Sequence, residues 1–353
     1  MKSNNDILTF AFPGLIEKEI LDIGAGQIPY MRTDEFSELV LESEQLLLNQ
    51  IGCNAGRVIV YTASGTAAME SAVVNYASKF NKILAINGGT FGKRWKELCD
   101  YHDIACDEFK VDFGSDINYE QLENCLVKNK HQILLCQHHE TSSGQFYNMD
   151  HISDICKRNG ISLVVDAISS FLSDPFNMSK WDIDLTILSS QKGLNLPPGL
   201  SFLVISKKAI EMGFKNKNFY LDIFDNLNNL ERGQTPFSPA TSLFLQLNYR
   251  LKKIQEIGIE KVLDQVNTNA IYFREQCNLH NWTLSAESHS SCITGFYVNS
   301  GRKICDELTK EKIYVMPSGK KDLLRISHIG LQNKEILNSL IKKIIRIQNK
   351  LAK

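Results

Sequence analysis

Along the first 240 residues, short runs of apolar and β-branched residues alternate with longer stretches whose apolar positions recur every three or four residues. The short runs predict strands at 57–61, 83–87, 133–136, 163–166, 185–189 and 203–205. Between them the helical spacing predicts helices at 35–50, 62–80, 91–102 and 149–159. The 203–205 run returns after a short turn, which predicts an edge or antiparallel strand. Such alternation gives a mostly parallel sheet with helices on both sides, and ligands gather at the carboxyl ends of its strands. Past residue 245 the pattern changes to helices at 242–258 and 259–277, strands at 293–298 and 323–327, and a closing helix after Asn333. The expected fold is therefore α/β, a large domain with a mostly parallel sheet between helices plus a smaller C-terminal α+β domain. Its expected division is an N-terminal arm at 1–20, a large domain at 21–250 and a small domain at 251–353.

Composition narrows the class without choosing a function. The 43% hydrophobic and 22% charged residues describe an ordinary globular protein. A net charge of −1 gives no general attraction to nucleic acid or to an anionic membrane. No apolar stretch reaches the length of about 18 residues that a spanning helix needs. The beginning MKSNNDILTF lacks the apolar core of a signal peptide. Nine cysteines without a CxxC pair fit scattered thiols in a reducing compartment, so the expected location is cytoplasmic.

The polar motifs fall at strand ends. Thr62-Ala-Ser64-Gly65-Thr66 lies between a strand and a helix, where glycine lets backbone approach an anion and free N–H groups donate to it. Alone it equally describes an N-cap and a tight turn. Asn87-Gly-Gly-Thr-Phe91-Gly92 is a second such turn, with Phe91 placed to lie against a planar ring or to pack in the core. His138-His139-Glu140-Thr141 lacks the i, i+4 spacing of a metal-binding helix, so no metal is expected, and Thr141 to Ser143 offer hydroxyls instead. Val164-Val165-Asp166 ends an apolar strand on a carboxylate, either a cap or a partner for a protonated ring nitrogen. Leu185 to Ser189 runs into Gln191-Lys192-Gly193 and a Pro-Pro-Gly turn. A lysine there either snorkels to water or is buried and loses its proton. A neutral amine is what condenses with an aldehyde cofactor. Anion turn, ring platform, carboxylate and lysine together form the set a pyridoxal phosphate site requires.

With those motifs in view, the chain resembles the class V, fold-type I pyridoxal-phosphate aminotransferases, on the alanine–glyoxylate and 2-aminoethylphosphonate aminotransferase branch. The resemblance is carried across almost the whole chain by SGTAAMESA from Ser64, NGGTFGKRW from Asn87, HHETSSG from His138 and VVDAISSF from Val164. SSQKGL from Ser189, TPFSPA from Thr235 and LLRISHIG from Leu323 complete it. It implies that Lys192 forms the Schiff base and shuttles the proton, Asp166 pairs the ring nitrogen, and Phe91 stacks on the ring. It further implies that Ser64, Gly65, Thr66 and Gln191 hold the phosphate, Thr141 meets the ring hydroxyl, and Arg325 grips a substrate carboxylate. Arg232 and Thr235 are implied to reach the partner's phosphate in a homodimer with composite sites. Two departures sit where the arm shapes the substrate entrance: a family PGP segment reduced to Phe12-Pro13-Gly14-Leu15, and a His-Arg pair that reads Met31-Arg32.

The expected function is a ping-pong transamination from a small amino donor such as alanine or serine to a 2-oxo acid acceptor, glyoxylate or pyruvate. The alternative on the same branch is 2-aminoethylphosphonate as donor to pyruvate. A lyase or a desulfurase on the same cofactor is a further alternative, and a desulfurase would need a mobile-loop cysteine, for which Cys292 is the candidate. A non-catalytic scaffold is opposed by the joint presence of Lys192, Asp166 and Arg325.

Overall fold

The computed structural model describes residues 7–215 and 218–351. Residues 1–6 of the expected arm and 352–353 of the expected small domain lie outside the described residues. A seven-stranded sheet is built from β1 (Gly56–Tyr61), β2 (Ile83–Asn87), β3 (Asp107–Lys110), β4 (Ile133–Gln137), β5 (Ser162–Asp166), β6 (Leu185–Ser189) and β7 (Ser201–Ser206). Its order is β1-β7-β6-β5-β4-β2-β3, parallel except for β7, which runs antiparallel to both neighbours. The 203–205 run, expected to be an edge or an antiparallel strand, is the antiparallel one and lies inside the sheet. Residues 201–205 are buried and bonded on both sides, and the edge falls to β1 instead.

Strand residues alternate between the two faces. Leu134, Leu163, Val165, Leu188 and Val204 join one core with Phe36, Leu47, Ile152 and Phe244. Leu135, Val164, Ile187, Leu203 and Ile205 join the other with Ala68, Met69 and Trp95. Apolar helices on both faces explain why the strands read as continuous hydrophobic runs. The helix Met149–Asn159 begins and ends where expected. Asn148 accepts from the Asp150 and His151 N–H groups, a cap worth about 1 kcal/mol, and Gly160 closes it in the left-handed region at φ 63°.

The stretch expected as one helix over 62–80 is an α-helix at Gly65–Ser71, a π-helical turn at Ala72–Tyr76 and a 3-10 turn at Ala77–Lys79. Strand β3 and the helix Tyr119–Lys128 were not expected. Sequence DEFK makes β3 an exposed, charged edge, which hides a strand from an apolar pattern and also protects the edge from further pairing.

Beyond the large sheet, helix Thr241–Ile257 crosses position 250 unbroken and stops at Gly258, at φ 91°. Helix Ile259–Leu279 follows, then a four-stranded sheet of β8 (Thr283–Leu284), β9 (Ile293–Tyr297), β10 (Met316–Pro317) and β11 (Leu323–Ser327), ordered β8-β9-β11-β10. The closing helix Lys334–Leu351 packs Leu337, Leu340 and Ile344 against Phe296, Leu324 and Ile326 of this sheet. Within the expected arm, Leu8–Thr9 pairs with Ile313–Tyr314, and a helix starts at Lys18. Among the described residues, no helix is long and apolar enough to cross a membrane.

Candidate active site

The carboxyl ends of β1, β5 and β6 open onto one place. After β1, Ser64 is the N-cap of the helix Gly65–Ser71 and its hydroxyl makes no cap bond. Gly65 and Thr66 are first-turn residues, so their N–H groups have no intrahelical acceptor. A Cβ on Gly65 would lie 2.6 Å from Ile168 Cδ1 and 3.3 Å from Ser189 Cβ. That close approach packs the helix start against the loops after β5 and β6, and a larger residue would have to displace Ile168. After β6, Ser189 Oγ donates to Gln191 Oε1 at 2.6 Å, which orients the amide of Gln191.

Lys192 follows in the same loop, with 8% of its surface exposed. Its Nζ has no hydrogen-bond partner among the described bonds and lies 3.4 Å from the centroid of the Phe12 ring. Burial lowers its pKa to about 8, opposed by Cys292 and Asp166 nearby. At the end of β5, Asp166 is also buried, and its side chain accepts only the Ile168 N–H, at 2.8 Å. Burial raises its carboxyl to about 7, against the pull of that N–H. Acid and amine thus sit at the ends of adjacent parallel strands, each pushed toward its neutral form.

Phe91, half-buried, is the second residue of helix Thr90–Tyr101. Its N–H and that of Gly92 donate to Glu140, at 3.3 and 2.8 Å, so a buried carboxylate fixes this helix start. Arg94 stands 5.0 Å over the Phe91 ring, and its Nη1 donates to Thr66 Oγ1 at 3.4 Å. Thr141 Oγ1 donates to Ser169 Oγ at 2.8 Å, and His139 Nδ1 meets the same oxygen at 2.8 Å. His138 turns the other way, into Phe146, Phe176 and Trp181, and burial lowers its pKa to about 3. The two histidines face opposite sides, as adjacent residues on extended backbone do. Arg325 on β11 reaches across to this loop. Its Nη1 donates to Thr141 O at 2.7 Å and its Nη2 to Pro317 O at 3.1 Å, while the buried Nε has no partner.

The structure therefore brings Ser64, Gly65, Thr66, Phe91, Thr141, Asp166, Gln191, Lys192 and Arg325 around one region. Arg232 and Thr235 make no hydrogen bond to these residues among the described bonds, although Thr235 shares a cavity with Thr62, just past β1. Arg232 is exposed and donates to Asn229 Oδ1 at 2.8 Å. Thr235 Oγ1 donates to Phe237 O at 2.7 Å, and Thr235 O accepts from Arg32 at 2.8 Å. Sequence reasoning missed Arg94, Glu140, Ser169 and Phe12. Arg94 was legible as the i+3 neighbour of Phe91 on one helix face. Ser169 carried no signal, because its role depends on which loop folds against it.

A family model described as aminotransferase class-V matches residues 29–314, most of the chain. The chain belongs to this family. An uncharacterised aminotransferase of Methanocaldococcus jannaschii is 29% identical over 95% of this chain and 90% of that one. A serine–glyoxylate aminotransferase of Hyphomicrobium methylovorum is 30% identical over 66% of this chain and 60% of its own length. The solved alanine–glyoxylate aminotransferase of a Nostoc species superposes with a TM-score of 0.89 over 97% of this chain and 95% of its own, at 22% identity, which speaks to the fold alone.

The class-V aminotransferase is thus a transaminase that depends on pyridoxal 5'-phosphate. Its own residues fit that group. An amine poised near neutrality suits an aldehyde, and a buried carboxylate without a cation suits a ring N–H. Unspent first-turn N–H groups at Gly65 and Thr66, with Arg94 beside them, suit a phosphate.

Proposed function

We propose that this transaminase moves an amino group from a small amino acid, alanine or serine, to glyoxylate or pyruvate in two half-reactions. The observation that carries the reading is Arg325. Two carbonyls, Thr141 O and Pro317 O, hold its guanidinium in place while its buried Nε is left unpartnered. A planar cation so oriented recognises a carboxylate, which every one of these donors and acceptors has. The serine–glyoxylate relative supports the same substrate class.

When bound, the cofactor supplies an aldehyde for Schiff-base formation and an electron sink for charge at the substrate Cα. Lys192 holds the cofactor, and its Nζ carries the proton off Cα. Asp166 would hold a proton on the ring nitrogen. Phe91 would support the ring, and Arg94, which lies over the Phe91 phenyl, donates to Thr66. Ser64, Gly65, Thr66 and Gln191 take the phosphate, and Thr141 meets the ring hydroxyl. Arg232 and Thr235 reach the partner's phosphate in a homodimer; neither bonds the other site residues of its own chain among the described bonds, which supports an action in trans. All nine cysteines are free thiols, which supports a cytoplasmic enzyme.

A desulfurase reading is opposed by Cys292. It is fully buried beside β9, and burial raises its thiol to about 12, so it is neither mobile nor a thiolate. The test is a donor screen on cofactor-loaded enzyme, read by absorbance as the aldehyde form converts to the amine form. Conversion by alanine or serine, reversed by glyoxylate or pyruvate, is expected. Conversion by 2-aminoethylphosphonate alone would replace the reading with the aminophosphonate one.

A further inference from the structure

Phe12 lies in the arm, where the chain departs from the family segment, and nothing in the chemistry so far requires an aromatic ring there. Its ring centroid is 3.4 Å from Lys192 Nζ. Backbone bonds pin the arm on both sides of it. On one side Phe10 N donates to Tyr314 O and Phe10 O accepts from Ser327 N, both at 2.7 Å. On the other, Leu15 O accepts from Leu331 N at 3.1 Å and from Asn195 Nδ2 at 2.9 Å. A Cβ on Gly14 would sit 2.3 Å from Ile329 O, so the arm lies hard against the loop that follows β11. The backbone that carries the ring cannot move away without breaking these contacts.

Phe12 and Met316 pack on one apolar cluster with Val266, Cys292, Ile293 and Ile329. Met316 also stands opposite Arg325 in the β10–β11 pair. An amino acid with its carboxylate on Arg325 and its amine at Lys192 holds its Cα beside this wall, which carries no charged side chain.

We propose that Phe12 sets the substrate size of this site, closing the arm side of Lys192 so that small uncharged side chains enter and longer ones do not. This deepens the function proposed above and rests on it. Removing the ring opens space where an added methylene now clashes, and one methylene against a rigid wall is worth about 10–200-fold in discrimination.

The experiment compares wild type, Phe12→Leu and Phe12→Ala as cofactor-loaded enzymes, using alanine, 2-aminobutyrate and norvaline as donors. Wild-type kcat/KM is expected to fall at least about ten-fold per added methylene. Phe12→Ala should flatten the series and Phe12→Leu should fall between. A ring that only anchors the arm would lower all three donors in parallel and leave the ratios untouched, and that result overturns the proposal. Dissociation constants of the unreactive acetate, propionate and butyrate, measured on the same proteins, give a readout free of turnover. Donors that react with ratios independent of position 12 sink the size limit and leave the transaminase reading standing. A length limit in carboxylate binding that depends on Phe12, with no donor reacting, does the reverse. Where Phe12→Ala fails to fold, Phe12→Leu decides by the same ratios.

Discussion

An aspartate and a lysine meet at each end of the β5–β6 pair, Asp184 with Lys208 of the helix after β7 and Asp166 with Lys192 of the loop after β6, and the two ends are finished differently. At the amino end, Asp184 accepts from Leu163 N at 2.9 Å and lies 3.1 Å from Lys208 Nζ, which also reaches Asp182 at 2.9 Å. Burial works against the Lys208 charge, yet the two carboxylates hold its pKa above the ordinary value. At the carboxyl end, Asp166 has one backbone donor and Lys192 has only an aromatic ring. Burial wins there, lowering the lysine to about 8 and raising the acid to about 7. Equal residue types, a strand's length apart, make an ion pair in one place, although burial still raises the Asp184 carboxyl there, and an open valence in the other. Unpaired buried charge costs stability, so an end left in that state is one where a ligand supplies the missing partners.

The sharpest way to break this contrast is to remove the open amine. Lys192→Ala is expected to lower turnover by more than about 10³-fold, because it deletes both the covalent anchor and the proton carrier. Circular dichroism should show an unchanged fold, since the Lys192 amine makes no hydrogen bond. Substantial transamination by this variant would contradict its placement at the centre of the site. Next in size, Arg325→Ala should raise KM for carboxylate substrates by an amount worth about 2–5 kcal/mol. A KM equal to wild type would take Arg325 out of the substrate site. The aromatic series at Phe12 comes third, at about ten-fold per methylene.

How far this contrast was legible in the sequence follows from its physics. Asp166 and Lys192 stood out because an ionisable residue ending an apolar run is anomalous on its face. Asp184, which precedes β6, gave no such signal. Its partner Lys208 lies two dozen residues away in the next helix, and only the antiparallel return of β7 brings them together. Phe12 was read as part of an arm and not as a neighbour of the lysine, because the 179 residues between them carry no trace of the contact. Glu140 was visible as an acid in HHET, but its task of capping the helix that carries Phe91 needed the fold. Strand–helix alternation was plain wherever both faces are buried, and it failed at β3, where one edge is polar.

The acids at the two ends separate by pH. Asp166 has a folded pKa of about 7 against an ordinary 3.8, so the folded apo-protein binds its proton more tightly than the unfolded chain. No penalty exists below 3.8; stability falls as pH rises toward 7, and the full loss, about 4 kcal/mol, holds above it. Apo Asp166→Asn should therefore resist urea better than wild type at pH 8 and match it near pH 4, while its turnover with cofactor drops. Lys192 has the opposite sign, its penalty falling on the charged form below about 8, and because Asp166 favours that charge the comparison is repeated in a Lys192→Ala background, where the difference isolates the acid. A variant no more stable at pH 8 would mean that Asp166 already has a partner.

At the finished end the expected change is smallest and reversed. Lys208 is 43% exposed at its side chain, so solvent screens much of the pair, and Lys208→Ala should cost about 1 kcal/mol. That loss should be largest at high pH, because Lys208 opposes the burial that raises the Asp184 carboxyl, and should shrink in acid as the carboxyl takes a proton. Kinetic constants should stay at wild-type values at a temperature where the variant is folded, because no described bond runs from Lys208 to the residues around Lys192. A fall in kcat from Lys208→Ala under those conditions would mean that the two ends of the strand pair are coupled, and that Asp184 helps to set the geometry of the catalytic rim.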